Sequence, residues 1–134
     1  MPEPEPSKTL GAQRLRNRIM EVLELAGSFE EQAEYQESVS FVSVPNEVIN
    51  QWEDWVHPPI QENYCEPVFS EQEQRAIQEF HEVWNAVADA TPNPLPSLQV
   101  TQRLDEWERL RSSAISAMEV FTIRGRFPED EELF

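Results

Sequence analysis

Residues 70–90 read SEQEQRAIQEFHEVWNAVADA, and this stretch decides the fold class. Ser70 and Glu73 stand at the spacing of a capping box, in which each side chain bonds the other's otherwise unpaired backbone N–H. Behind the box, Ile77, Phe80, Trp84 and Val87 recur at helical spacing, while Glu71, Glu79, Glu82 and Asp89 fall off that face. The pattern predicts an amphipathic helix. It ends before TPNPLP, where Pro92, Pro94 and Pro96 exclude further helix.

Upstream, Pro45 suits the first turn of another helix. Val48, Ile49, Trp52, Trp55 and Val56 form its stripe. It stops at His57, because the residue before Pro58-Pro59 avoids the α region. Residues 60–69 read as a loop. Further back, Thr9 caps a first helix whose stripe is Leu15, Ile19, Val22, Leu23 and Ala26. Gly27-Ser28 marks a stop or kink, and residues 29–37 continue as a very acidic helix. Downstream, a last helix runs over residues 97–118, striped by Leu104, Trp107, Leu110, Ala114 and Met118. Two stretches carry β character: Ser38–Val44 (SVSFVSV) and Val120–Phe127 (VFTIRGRF). A lone strand leaves its backbone groups unpaired. The two are therefore expected to pair over about 39–44 and 120–127, the alternative being pairing with a second copy across a dimer.

The expected fold is mainly α: about four amphipathic helices around one aromatic core, with two short β-strands. A Pro/Glu arm over residues 1–8 precedes a single helical domain at 9–127, and residues 128–134, PEDEELF, form an acidic tail. The 134 residues fit one domain, and 39% hydrophobic residues suffice to build a core. Cys65 is the one cysteine, so no internal disulfide forms. No apolar run approaches the roughly 18 residues that span a bilayer. The opening residues lack a signal-peptide core, and a cytoplasmic location is the expectation.

Charge is the strongest compositional feature. The net charge is −16, and between Ile19 and Gln102 a single basic residue, Arg75, faces sixteen acidic ones. Such a field repels nucleic-acid phosphates and anionic membranes and attracts a basic protein surface. Arginines gather at the two ends: Arg14, Arg16 and Arg18, then Arg103, Arg109, Arg111, Arg124 and Arg126. Against the global field their expected role is pairing with the chain's own acidic face or with a partner copy.

Reaction chemistry finds little support. His57, Cys65 and His81 stand at no zinc-ligand spacing, and Asn85 occupies the position where an HExxH helix needs its second histidine. Glu66 beside Cys65 opposes thiolate formation. There is no GxSxG elbow and no glycine-rich phosphate cradle. Adjacent carboxylates such as Glu53-Asp54 point about 100° apart on a helix and share no site. No enzyme, metal or cofactor is expected.

What remains is binding. The expected role is an acidic module that docks on a basic protein partner and blocks or recruits it, in the manner of an immunity or antitoxin protein or of a nucleic-acid-mimicking inhibitor. Glu30, Glu31, Glu34, Glu37, Glu53, Asp54 and Trp55 are its candidate contacts. Trp55 qualifies because a helix this short buries one stripe, leaving a second Trp to serve as an anchor. The alternatives are a self-assembling structural protein using Val39–Val44 as a homodimer interface, and a small-ligand binder or enzyme with an unfamiliar site, marked by a deep pocket holding a buried His81 or a carboxylate with a strongly shifted pKa.

Overall fold

A computed structural model describes residues 7–92 and 94–134, and among these the chain is mainly helical with no β-strand. Seven helices follow one another: α1 (Lys8–Ala26), α2 (Phe29–Ser38), α3 (Val44–Trp55), α4 (Ile60–Asn63), α5 (Glu71–Ala90), α6 (Leu98–Thr101) and α7 (Asp105–Thr122). The core is built mainly by α5 against α7, α1 against α7 and α1 against α3. The first six positions of the expected Pro/Glu arm, and Asn93, lie outside the described residues.

Serines set most helix starts. Ser7, Ser28, Ser43 and Ser70 each accept a hydrogen bond from a backbone N–H of the first turn they cap. The first cap is therefore Ser7 rather than Thr9. At Ser70 the full capping box forms: Glu73 N–H donates to Ser70 Oγ at 3.2 Å, and Ser70 N–H donates to Glu73 Oε1 at 3.1 Å. Gly27 separates α1 from α2, and a Cβ there would come within 3.1 Å of Leu23 O and 3.3 Å of an Ile115 side-chain carbon.

The stripes predicted from spacing mostly turn inward, but Trp55, placed in the stripe of α3, is 40% exposed, because it lies in the last turn of that helix. Ile19, Val22, Leu23, Val48, Trp52, Ile77, Phe80, Val87, Trp107, Leu110 and Ala114 are all buried. Burying each of the larger side chains contributes roughly 1.5–3 kcal/mol. Trp52 meets Phe80 edge-on with ring centroids 4.4 Å apart, and Tyr64 meets Phe69 in the same way at 5.2 Å.

Four expectations need correction. Neither predicted strand forms. Residues 39–43 are a turn, in which Gln36 lends its carboxamide to Val39 O, Val42 O and Val44 N–H, while Ser43 caps α3. Local side chains thus satisfy the backbone that a strand would have left for a partner. Val120–Thr122 is the last turn of α7, followed by a turn and an extended exit. The single helix expected over 97–118 breaks into α6 and α7, because residues 102–104 turn aside and Gln102 Nε2 reaches Phe29 O at 3.1 Å. The count is seven helices among the described residues rather than four, with a further short helix, α4, inside the stretch read as a loop.

The acidic tail folds back on α1. Gln13 is fully buried, donates to Pro128 O and Glu131 O, and accepts from Leu133 N–H. Asn17 exchanges two bonds with the Phe127 backbone, at 2.8 and 3.1 Å.

Under that strap lies a buried charge network. Arg16 is fully buried and Glu73 nearly so, joined by Nη2–Oε2 at 2.7 Å and Nε–Oε1 at 3.2 Å. Arg124 adds a second cation to Glu73 at 2.5 Å. Arg16 also donates to Gly125 O at 2.5 Å and sits 3.8 Å from the centroid of the Phe127 ring. Gly125 holds φ +74°, a left-handed turn open to glycine, and so presents its carbonyl to the guanidinium. Burial pushes the Glu73 carboxyl up, but the bonds from Arg16, Arg124 and Ser70 N–H outweigh this and hold it below the usual range.

Candidate functional site

The residues expected to make contact fall into two groups. Glu30, Glu31, Glu34 and Glu37 belong to α2, with Glu30 and Glu31 in its first turn, where the helix dipole favours negative charge. Positions 30, 33, 34 and 37 share a helix face by spacing, and all four residues are exposed. Glu53, Asp54 and Trp55 close α3, and all three are exposed, Trp55 at 40%.

At the α1–α2 junction the carboxylates crowd. The Glu31 carboxyl is pushed up, first by burial, then by the neighbouring charges of Glu24, Glu34 and Glu30. Glu53 and Asp54 are not among the groups that raise it. A cation arriving at this junction would relieve the repulsion among these carboxylates.

The arginines are largely spoken for within the chain. Arg16 and Arg124 hold Glu73, and Arg14 donates to Glu129 O at 2.8 Å. Arg18 pairs with Glu21 at 2.8 Å and Glu129 at 2.5 Å. Arg126 pairs with Glu21 and Glu24, and Arg111 with Glu108 at 2.5 Å. Among the described residues Arg103 and Arg109 make no such ion pair. The pairing of the others leaves the exposed carboxylates of α2 and α3 without these cations.

The groups considered for chemistry are dispersed. His81 Nδ1 accepts the Trp52 indole N–H at 3.1 Å and its ring stacks on Trp84, while Trp84 Nε1 donates to Ile49 O at 3.1 Å. Burial lowers the His81 pKa, opposed by the nearby Glu82. The neutral ring suits this place, since Nδ1 is needed as an acceptor. His57 is exposed at the end of α3, with Nε2 3.2 Å from Asp54 O. Cys65 is exposed, and its thiol donates to Glu62 O at 3.0 Å. Among the described residues no three His, Cys, Asp or Glu side chains converge as metal ligands, and every buried side-chain nitrogen or oxygen has a partner. No helix among them is long and apolar enough to cross a membrane.

Sequence reasoning missed one surface. An open groove of about 650 Å³ lies between α2 with its following turn and residues 95–102, lined in part by Gln36, Glu37, Phe41, Val42, Leu95 and Leu98. Reading SVSFVSV as a strand hid it, and so hid Phe41, which is 89% exposed. Its signal in the sequence is Gln36 lying eight residues before Val44, within reach of the turn it braces. Compared with protein-family models, with curated proteins and with solved structures, the chain matches none.

Proposed function

We propose that this chain is an acidic protein-binding module that docks on a basic surface of another protein and blocks or recruits it. One observation carries the reading: a stretch with one basic residue against sixteen acidic ones leaves the carboxylates of Glu30, Glu34, Glu37, Glu53 and Asp54 exposed, while Arg16, Arg18, Arg124 and Arg126 from the two chain ends are paired elsewhere. The mechanism is electrostatic steering followed by apolar anchoring. Inhibition of a cationic cleft, as an immunity protein or a nucleic-acid mimic achieves it, is the specific form favoured.

The test is an affinity capture from lysate at low salt, eluted with a salt gradient. The expected result is a stoichiometric basic partner that leaves as salt rises, and whose binding is lost on charge reversal at Glu30, Glu31, Glu53 and Asp54. Partner binding that ignores salt would sink the steering mechanism, because exposed charge pairs are screened beyond a Debye length of about 8 Å at physiological ionic strength.

A further inference from the structure

The turn between α2 and α3 holds a large aromatic side chain out in water on a braced backbone. Gln36 Nε2 donates to Val42 O at 2.7 Å and Val39 O at 3.3 Å, and Gln36 Oε1 accepts from Val44 N–H at 3.2 Å. Across the groove, Asn46 Oδ1 accepts from Leu95 N–H at 3.3 Å, and Gln102 Nε2 donates to Phe29 O and Gln32 Oε1. Both walls are therefore tied to the body of the fold, so little ordering remains to be done when a ligand enters. Phe41 stands on this groove, and Leu95, Leu98 and Val42 supply apolar lining within it. An exposed aromatic beside a preformed apolar groove has the anatomy of a binding hot spot. The other strongly exposed apolar residue, Ile123, sits by a smaller groove between α5 and α7 whose lining includes both Arg75 and Glu79, so charge names no occupant there.

Charge names the occupant of the first groove. Glu37 lines it, and Glu30 and Glu34 continue the same exposed face of α2. No lysine or arginine occurs between Arg18 and Arg75. A second copy would set the same carboxylates against one another, which like-charge repulsion disfavours. We propose that this groove receives a segment of a basic protein partner in which a Leu- or Phe-type side chain is flanked by Lys or Arg. The apolar side chain enters against Leu95 and Leu98 with Phe41 laid over it, and the cations pair with Glu30, Glu34 and Glu37. The inference rests on the acidic-module reading and narrows it, moving the anchor from Trp55 to Phe41.

The test uses the full chain labelled with ¹⁵N and three synthetic peptides: an amphipathic Leu/Lys peptide, hexalysine, and a Leu/Gln peptide of the first one's pattern. The Leu/Lys peptide is expected to shift the amides of Phe41, Val42, Leu98 and Gln99, and to bind Phe41→Ser at least tenfold more weakly. Hexalysine should bind wild type and variant alike, and Leu/Gln should bind weakly to both. Phe41 is so exposed that the variant should keep the wild-type unfolding midpoint, which separates lost binding from lost fold. Equal affinity of the Leu/Lys peptide for wild type and Phe41→Ser, or shifts confined to the end of α3, overturns the groove assignment while salt-sensitive hexalysine binding leaves the acidic module standing. Tighter binding of Leu/Gln than of Leu/Lys overturns both. Concentration-dependent shifts at Phe41 without peptide, matched by dimers in sedimentation, assign the groove to a second copy and overturn the basic occupant.

Discussion

Replacing Glu73 by Gln should cost about 3 kcal/mol, near the lower end of what is lost when one partner of a buried ion pair is removed. The value follows from the contacts. The amide is isosteric and still accepts from Ser70 N–H, so the capping box survives and the change isolates the charge. Arg124 is 30% exposed and regains water. Arg16 is fully buried and cannot, so one cation is stranded. It retains Gly125 O, Phe121 O and the Phe127 ring, which keeps the loss at the lower end. For a chain of this size such a loss lowers Tm by roughly 10 °C. Glu73→Ala removes the box as well and should cost about 1 kcal/mol more. The double replacement Arg16→Met with Glu73→Leu removes the charge and its counter-charge together. It should recover about 2 kcal/mol relative to Glu73→Gln, because apolar side chains of similar volume often replace buried ion pairs at no loss. Urea unfolding followed by circular dichroism measures all four proteins. The pH dependence adds an independent check. The folded-state carboxyl lies below its usual value, so its stabilisation is complete above the unfolded pKa of 4.5 and is lost as pH falls through the folded value. The gap between wild type and Glu73→Gln should therefore shrink on acidification below about pH 4.5. A Glu73→Gln loss under about 1 kcal/mol, or a double variant no better than the single one, would refute the view that this network is a buried, charge-dependent lock.

Ser70→Ala should cost about 1 kcal/mol by removing the other half of the box, and an unchanged urea midpoint would show that Glu73 alone starts α5. Gln13→Ala should cost about 1–3 kcal/mol and open residues 128–134 to limited proteolysis, since three bonds to the strap backbone disappear; an equally resistant tail would mean that Arg14, Arg18 and Asn17 hold it unaided. His81 should titrate below its usual 6.5 in an NMR pH series, and because its folded pKa is depressed, stability should decline as pH falls below 6.5. That decline should be absent in His81→Gln, and a wild-type midpoint at or above 6.5 would contradict the bond from Trp52.

Local chemistry was legible in the chain and long-range chemistry was not. The capping box of Ser70 and Glu73 and the stripe behind it were readable because both ends of each interaction lie within a few residues. The charge distribution was readable for a simpler reason, since it is a count. Spacing put Glu30, Glu34 and Glu37 on one helix face, but it did not show that Glu31 is half-buried beside Glu24 across a helix junction.

The misread stretch is the instructive one. SVSFVSV has strand-forming residues, and propensity alone makes it a strand; only a neighbouring chain segment decides whether a strand has anywhere to pair. Here none is offered, and Gln36 and Ser43 close the turn instead. The sequence by itself determined a helical, acidic chain with the start of α5 written in Ser70 and Glu73, because capping and periodicity act over three or four residues. Tertiary structure alone decided that Glu73 serves two arginines more than fifty residues away, that the acidic tail straps α1, and that Phe41 stands on a groove. Those contacts depend on which surfaces meet once the core has closed, and no local preference encodes that.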